Sequence, residues 1–463
     1  MDATYLFVKN FTDIKFEDLP ADVVEATKKQ VLDFFGVALA GSSKVGVTEI
    51  KDLAVEWGGA PQSSMISWGH RVPAMNAAQV NATMAHALDY DDVHEAAVMH
   101  PGVVSLPTAL AVAELKGGLS GKELITAIAL GTDFICRLGL ATRPGQNVHV
   151  FGWHLTSLYG YMTSAAVAGR VLGLDEDGMI NAIGIGYHQS AGNGQCVKDG
   201  ALTKRMGPGL AVRGGITAAL MAQKGITGTK NCLEGIHGIY NVYHQGSYSQ
   251  EALIGELGAR FEGVNVSIKP YPCCRGVHPF IDAALALVNE HKIAAGDVES
   301  ILISCGEGTY GLLGAPLEVK ARPRNFVDSQ FSLPWGVAVA VARKRAAIDD
   351  FTETAIQSRD ILDVSGKIDV RIDPGLNRAD VIEPARVSIT TKDGKSYGVQ
   401  VDLPTGTPTR PLSFADCERK FRDCIAHAER RIPQDNADKL VQLVARLEEV
   451  DDVRELMEVA VWE

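Results

Sequence analysis

The sequence predicts a mostly α-helical protein: a large helical domain formed by the N- and C-terminal parts of the chain, with an inserted smaller α+β lid domain. Three observations predict it. Apolar residues recur at helical spacing from Phe16 to about Leu253, with no alternating stretch of any length. Val- and Ile-rich runs begin near residue 265, and helical patterning returns after residue 411. The helical domain is therefore expected at 1–265 plus 411–463, and the lid at 266–410.

The elements follow in chain order. "DVVEATKKQVLDFFGVALAG" places Val23, Val24, Ala26, Val31, Leu32, Phe35 and Val37 on a broad apolar stripe and stops at Gly41. The stretches 73–88, 103–115, 155–172 and 208–224 read the same way. Ser120 and Glu123 fit a capping box opening "GKELITAIALGTDFICRL". Beyond residue 265, "VESILISCGE" (298–307) and "GKIDVRID" (366–373) read as strands. "ARVSITTKDGKSYGVQVDL" alternates on both sides of a Lys392-Asp393-Gly394-Lys395 turn, the pattern of a hairpin. Helical segments at 280–290 and 334–343 lie among these strands, which makes the insert an α+β unit. "LPTGTPTRPLS" (403–413) breaks the strand pattern with three prolines before two last helices, within "FADCERKFRDCIAHAERR" and "NADKLVQLVARLEEV".

Composition excludes several functions. The chain has 463 residues, 46% hydrophobic and 22% charged, an ordinary globular content long enough for two or more cores. A net charge of -12, with no basic run interleaved with aromatics, repels a phosphate backbone, so no nucleic-acid partner is expected. No stretch reaches the roughly 18–20 uncharged apolar residues of a membrane span. The opening MDATYLFVKNFTD is no secretory signal. A cytoplasmic protein is expected, or one in an organelle lumen after removal of a transit peptide. Eight cysteines without a C-x-x-C pair argue against a disulfide framework, a zinc ribbon and an iron-sulfur dehydratase.

Four stretches carry titratable chemistry. "HALDYDDVHEAAVMHPG" holds His86, Asp89, Asp91, Asp92, His94 and His100. If the preceding helix runs on to Val93, then His86, Asp89 and Asp92 share one face, and His100 lies in a loop before the next helix. A solvated capping loop, a divalent-metal site and an acid/base site are all compatible with this pattern. "FGWHLTSLYGYM" places His154 at a helix start, where a histidine serves packing as readily as catalysis. In "LTKRMGPGLAVRGG", Lys204 and Arg205 precede a Gly-Pro-Gly turn into a helix, and could hold a carboxylate or form a solvated basic turn. "SIKPYPCCRGVHPF" brings Lys269, Cys273, Cys274, Arg275 and His278 to the proposed domain junction, where clefts form. Buried cysteines are usually inert, but a thiol beside Lys269 and Arg275 would have a lowered pKa and could carry a proton.

Together "NATMAHALDYDDVHEAAVMHPG", "GWHLTS", "TKRMGPGLAVRGG", "KPYPCCR" and "FSLPWGVAVA" resemble, in order and spacing and over essentially the whole chain, the MmgE/PrpD family, the group named for 2-methylcitrate dehydratase. The resemblance implies a helical domain with an α+β lid, a homodimer, and catalysis without metal or organic cofactor. It also implies a small polycarboxylate substrate. Family activities are dehydration of 2-methylcitrate, decarboxylation of cis-aconitate and epimerisation of iminodisuccinate. It places the active site at Asp89, His100, His154, Lys204 and Lys269. Two positions depart from the family pattern: Val93 stands where many relatives carry Thr, and Cys274 where the decarboxylase branch carries His.

The residue chemistry accords with this. Loss of a proton or of CO2 beside a carboxylate leaves charge that positioned cations must absorb. Lys204 and Lys269, with Arg275 and Arg205, suit carboxylate binding. Imidazole ordinarily titrates near neutrality, so His100 and His154 suit general base and acid, with Asp89 orienting a histidine. Asp91, Asp92 and His94 are read as structural. The expected reaction is a 2-methylcitrate-type dehydration. Epimerisation of an iminodisuccinate-like dicarboxylate, with Cys274 facing a histidine across the reacting carbon, is the alternative. Decarboxylation and metal-dependent hydrolysis rank below both.

Overall fold

A computed structural model describes residues 2–142, 152–378 and 382–462. By contact the chain divides into two compact units: Met1–Ala87, Asp91–Ile268 and Ser413–Glu463 form one, Leu88–Tyr90 and Lys269–Leu412 the other. The fold is mostly α-helical, with a small sheet confined to the second unit and a two-residue ladder, Ser63–Ser64 with Arg71–Val72, in the first. Among the described residues, no helix is long and apolar enough to cross a membrane.

In the first unit the Asp2 carboxylate caps the helix Ala3–Asp13 by accepting the Thr4 N–H at 2.9 Å. The helix Ala21–Gly41 is buried all round from Gln30 onward, so its broad apolar stripe marks a core helix rather than a one-sided surface helix. It packs on Ala74–His86, which with Gly102–Lys116, Leu155–Leu172 and Thr203–Gln223 forms the centre of the unit. Leu32, Phe35, Val80, Met84, Val104, Leu158 and Val212 lie fully buried among these helices. Each such side chain contributes roughly 1.5–3 kcal/mol of burial energy. Helix ends anchored in this way are a rigid base for loops that carry chemistry.

Three local expectations are corrected. The helix that was to reach Val93 ends at His86, with Ala87 as its C-cap, and Asp89 takes a left-handed φ of 51°. His86, Asp89 and Asp92 therefore do not share a helix face. The anticipated Gly-Pro-Gly turn is helical: Thr203–Gln223 starts before Lys204 and runs straight through Pro208. Pro208 lacks one backbone donor, and the helix carries it while packing closely on Ala74–His86, Leu155–Leu172 and Glu176–Gln189. The capping box at Ser120 is half made. Ser120 accepts the Glu123 N–H at 3.2 Å, while the Glu123 carboxylate pairs with Arg170.

The second unit is a four-stranded sheet in the order Ile368–Ile372, Val298–Cys305, Ala385–Thr391, Ser396–Val401. The first pair is parallel and the other two antiparallel. The last two strands are the hairpin, closed by a turn in which Gly394 has φ 84°. Alternate residues Ala385, Val387 and Ile389 face the core beneath the helices His278–Glu290 and Leu333–Arg343. Trp335 is buried there, its Nε1–H donating to Asp350 O at 3.0 Å. The short segment Leu88–Tyr90 is tied into this unit by Gln330 Nε2 donating to Leu88 O (2.6 Å) and Tyr90 OH donating to Pro270 O (3.0 Å).

Candidate active site

In the first unit, four helix ends bring titratable side chains together. His86 is the last residue of Ala74–His86, and His100 stands two residues before the start of Gly102–Lys116. His154 is the N-cap of Leu155–Leu172, and Lys204 lies in the first turn of Thr203–Gln223. The His86 ring is 4.7 Å from that of His100 and 6.1 Å from that of His154.

The hydrogen bonds assign the protons. Lys204 Nζ lies 3.0 Å from His86 Nε2, and an ammonium has only donors, so Nε2 accepts. The His86 Nδ1–H then donates to Asp91 Oδ2 at 2.8 Å. His100 Nδ1 is 2.9 Å from the same Asp91 oxygen, in ion-pair contact but off the line of a hydrogen bond. Burial pushes the His86 pKa down to about 4, and the Lys204 ammonium reinforces this against Asp91. Burial works to raise Asp91, but the two histidines outweigh it and hold its carboxyl well below the usual range. The arrangement is thus ammonium, neutral imidazole, carboxylate and second imidazole in sequence. The side chains of His86 and Asp91 are 0% and 2% exposed, whereas His100 keeps 14%, so His100 is the ring that solvent reaches.

The other histidine is held separately. His154 Nδ1 pairs with Ser157 Oγ at 2.7 Å, and Gly207 packs on that pair so tightly that a Cβ there would lie 2.2 Å from Ser157 Oγ. Thr156 Oγ1 accepts the His100 N–H at 3.1 Å, linking the two histidine loops. Arg205 is buried, with Nη1 donating to Val45 O at 2.7 Å, a bond that serves the fold.

The second unit holds the remaining candidates. Lys269 Nζ donates to Asp89 O at 2.6 Å and to Asp89 Oδ2 at 3.1 Å, with both side chains buried. Asp89 thus pairs with a lysine, and the carboxylate hydrogen-bonded to His86 is Asp91. Arg275 Nη1 donates to Thr405 O (2.9 Å) and to His278 Nδ1 (3.0 Å), while His278 Nε2–H donates to Cys273 O (3.2 Å). Burial and the Arg275 and Lys269 charges push His278 well below its ordinary pKa, so it braces Arg275 as a neutral ring. The expectation of a lowered thiol pKa fails at Cys273, which burial pushes well up despite both cations. Cys274 is a half-buried, reduced thiol whose N–H donates to Gln330 O at 2.9 Å.

Two residues of the cluster escaped the sequence reading: His86 as the bridge and Asp91 as the shared carboxylate. In "HALDYDDV" the helix stop after His86 and one left-handed residue bring a carboxylate five positions on back to the histidine, which the apolar pattern does not signal.

Residues 7–251 match the profile of the MmgE/PrpD N-terminal domain and residues 271–449 that of the MmgE/PrpD C-terminal domain. The chain is 26% identical over 468 residues to the cis-aconitate decarboxylase-like protein oryM of Aspergillus oryzae, covering 96% of this chain and 94% of that protein. It is 24% identical over 466 residues to cis-aconitate decarboxylase of Aspergillus terreus, covering 96% and 93% of the two chains. With cis-aconitate decarboxylase of Homo sapiens it shares 26% over 464 residues, covering 97% and 92%. Two consecutive domain matches span most of the sequence, and these relatives match it over more than nine-tenths of their own length: the chain belongs to the MmgE/PrpD family.

Proposed function

We propose that the protein is a lyase that removes a proton beside a carboxylate of a small di- or tricarboxylate and expels water, using its own side chains as acid and base. The observation that carries this reading is the sequence Lys204–His86–Asp91–His100, buried at His86 and Asp91 and open to solvent at His100. With Nδ1 2.9 Å from Asp91, His100 would hold its proton on that side and turn a basic Nε2 to substrate, and the ionised Asp91 would stabilise the imidazolium that forms. The breaking C–H bond gives its proton to Nε2 and its electron pair to the adjacent carbon. That pair forms the C=C bond as the β-hydroxyl leaves, protonated by His154. The charge that builds on the neighbouring carboxylate is met by Lys204. A 2-methylcitrate-type substrate fits this sequence of steps.

A second reading has its own support. The full-length relatives carry the name cis-aconitate decarboxylase. There a C–C bond would break, CO2 leave, and the electron pair be protonated at carbon by the same imidazoles. Cys274 stands where that branch carries His, which favours the dehydratase.

Proton NMR of the purified, EDTA-treated protein in D2O separates the two, with 2-methylcitrate, citrate, cis-aconitate and iminodisuccinate as substrates. A new vinyl signal from 2-methylcitrate or citrate supports dehydration. Loss of carbon from cis-aconitate moves the assignment to decarboxylation, and deuterium at a retained α-carbon of iminodisuccinate moves it to epimerisation. No turnover of any of the four would sink the lyase reading.

A further inference from the structure

We propose that Asp92 is a positioning residue of this site: through its bond to the Gly102 N–H it fixes the His100–Gly102 turn and so keeps the His100 ring on Asp91. The proposal rests on the reading of His100 as the reacting base. Asp92 is itself 3% exposed, and its reach to substrate is closed by burial.

The geometry is that of a clamp. Asp92 Oδ1 accepts the Gly102 N–H at 3.0 Å, the one hydrogen bond of this carboxyl among the described residues. A Cβ on Gly102 would lie 2.8 Å from Oδ1 and 2.7 Å from Oδ2, so the carboxyl is packed flat on the backbone at the first residue of Gly102–Lys116. Only Pro101 separates that anchored residue from His100, and a proline leaves the linkage little freedom. On the far side, Asp92 Oδ2, Asp91 Oδ1 and both amide atoms of Gln30 are buried without hydrogen-bond partners among the described residues, lining one closed gap. The Gly102 bond therefore carries the orientation of the Asp92 carboxyl, and with it that of the turn.

The charges around Asp92 decide the form in which it acts. It faces the anions Asp91 and Asp33 and the cation Lys420, which lies 2.5 Å from Asp33. Burial, then Asp91, then Asp33 push the Asp92 carboxyl well above the ordinary carboxylate range. Its protonated form supplies an acceptor oxygen to Gly102 without adding a second negative charge beside Asp91. The role needs the acceptor and the shape, and asparagine provides both.

The test compares Asp92→Asn with Asp92→Leu, which keeps similar bulk and removes the acceptor. In long-range 1H–15N spectra of 15N-histidine-labelled protein, His100 is expected as the Nδ1–H tautomer in wild type and Asp92→Asn, and as a tautomer mixture in Asp92→Leu. Turnover in Asp92→Asn is expected within about threefold of wild type, with an unchanged pH profile. In Asp92→Leu a displaced base is expected to lower kcat about 100-fold, with KM changed less than about twofold. If the leucine variant does not fold, Gly102→Ala breaks the same contact from the other side and is expected to give the same tautomer mixture. A wild-type His100 spectrum and kcat in the folded leucine or alanine variant overturns the proposal, as does an asparagine variant as impaired as leucine. Should the wild-type protein turn over no carboxylate, the lyase reading fails, while the tautomer comparison still decides the role of Asp92.

Discussion

His100 Nδ1 lies 2.9 Å from the Asp91 oxygen that already accepts the His86 Nδ1–H, so one buried carboxylate oxygen serves two imidazoles. Because Lys204 can only donate, the His86 Nδ1–H is committed to Asp91. A proton taken up by His100 would then sit against a carboxylate already held ionised.

Asp91→Asn should show this most sharply. The amide keeps the shape but can turn a donor toward the histidines, which favours the wrong tautomer of His100. A fall in kcat of about 10³ to 10⁴ is expected, the size seen when an orienting carboxylate is replaced by its amide. Steady-state kinetics with a thermal melt alongside checks it. Activity within tenfold of wild type in a folded variant would remove Asp91 from the mechanism.

Lys204→Met separates charge stabilisation from proton transfer. Loss of the cation is expected to lower kcat by about 10² to 10³, as when one preorganised donor is removed from a developing charge. It should also move a second observable. Lys204 is among the groups that disfavour protonation of His86, so the His86 pKa, now about 4, should rise in the variant. An NMR titration of the labelled ring reads that shift directly, independent of turnover.

Part of this site was legible in the sequence, and the division has a physical basis. His100 before a Pro-Gly helix start, and Lys204 beside a Gly-Pro-Gly, are marked by local punctuation that a linear pattern records. The bridge between them is not local. His86 reaches Asp91 because the helix stops at His86 and Asp89 turns left-handed, and no apolar periodicity announces either event. Asp89 is the carboxylate that the family resemblance singles out, whereas the one hydrogen-bonded to His86 is Asp91. Gly207-Pro208-Gly209 misled for the opposite reason: residues that punctuate turns lie inside a helix where small size lets the backbone approach its neighbours. The hairpin at 385–401 was legible because alternation and turn chemistry are both short-range.

Gly207→Ala tests that close approach. At an open helix position, alanine in place of glycine stabilises by roughly 1 kcal/mol. Here the new Cβ would lie 2.2 Å from Ser157 Oγ and 3.4 Å from His154 Nδ1, so the buried serine must move and take its histidine with it. Overpacking should outweigh propensity, leaving a net loss of about 1–3 kcal/mol. Turnover should fall because the acid is displaced. Urea unfolding and kcat are the two readouts. A more stable variant with normal kcat would show that His154 tolerates displacement from this geometry.

The buried neutral His86 also sets a pH dependence of stability. Its pKa falls from about 6.5 in the unfolded chain to about 4 in the fold. Below pH 6.5 the unfolded state therefore binds a proton that the folded state refuses, and stability is lost as pH falls toward 4. At pH 4.5 the loss from this group alone should reach about 2–3 kcal/mol relative to pH 7. Asp91 acts in a lower window. Its folded pKa is depressed, so its contribution is present above the ordinary carboxylate range and fails only at more acid pH. His278 is also depressed and contributes in the upper window, so the wild-type curve alone does not isolate His86. The difference from His86→Asn does, because asparagine keeps a donor near the Nδ1 position for Asp91 but cannot titrate. This variant should be less stable at pH 7, having lost the acceptor for Lys204, yet lose less between pH 7 and 4.5. Urea melts at the two pH values measure it. Equal losses in both proteins would mean that His86 is protonated in the fold and that the Lys204–His86 bond is assigned in the wrong direction.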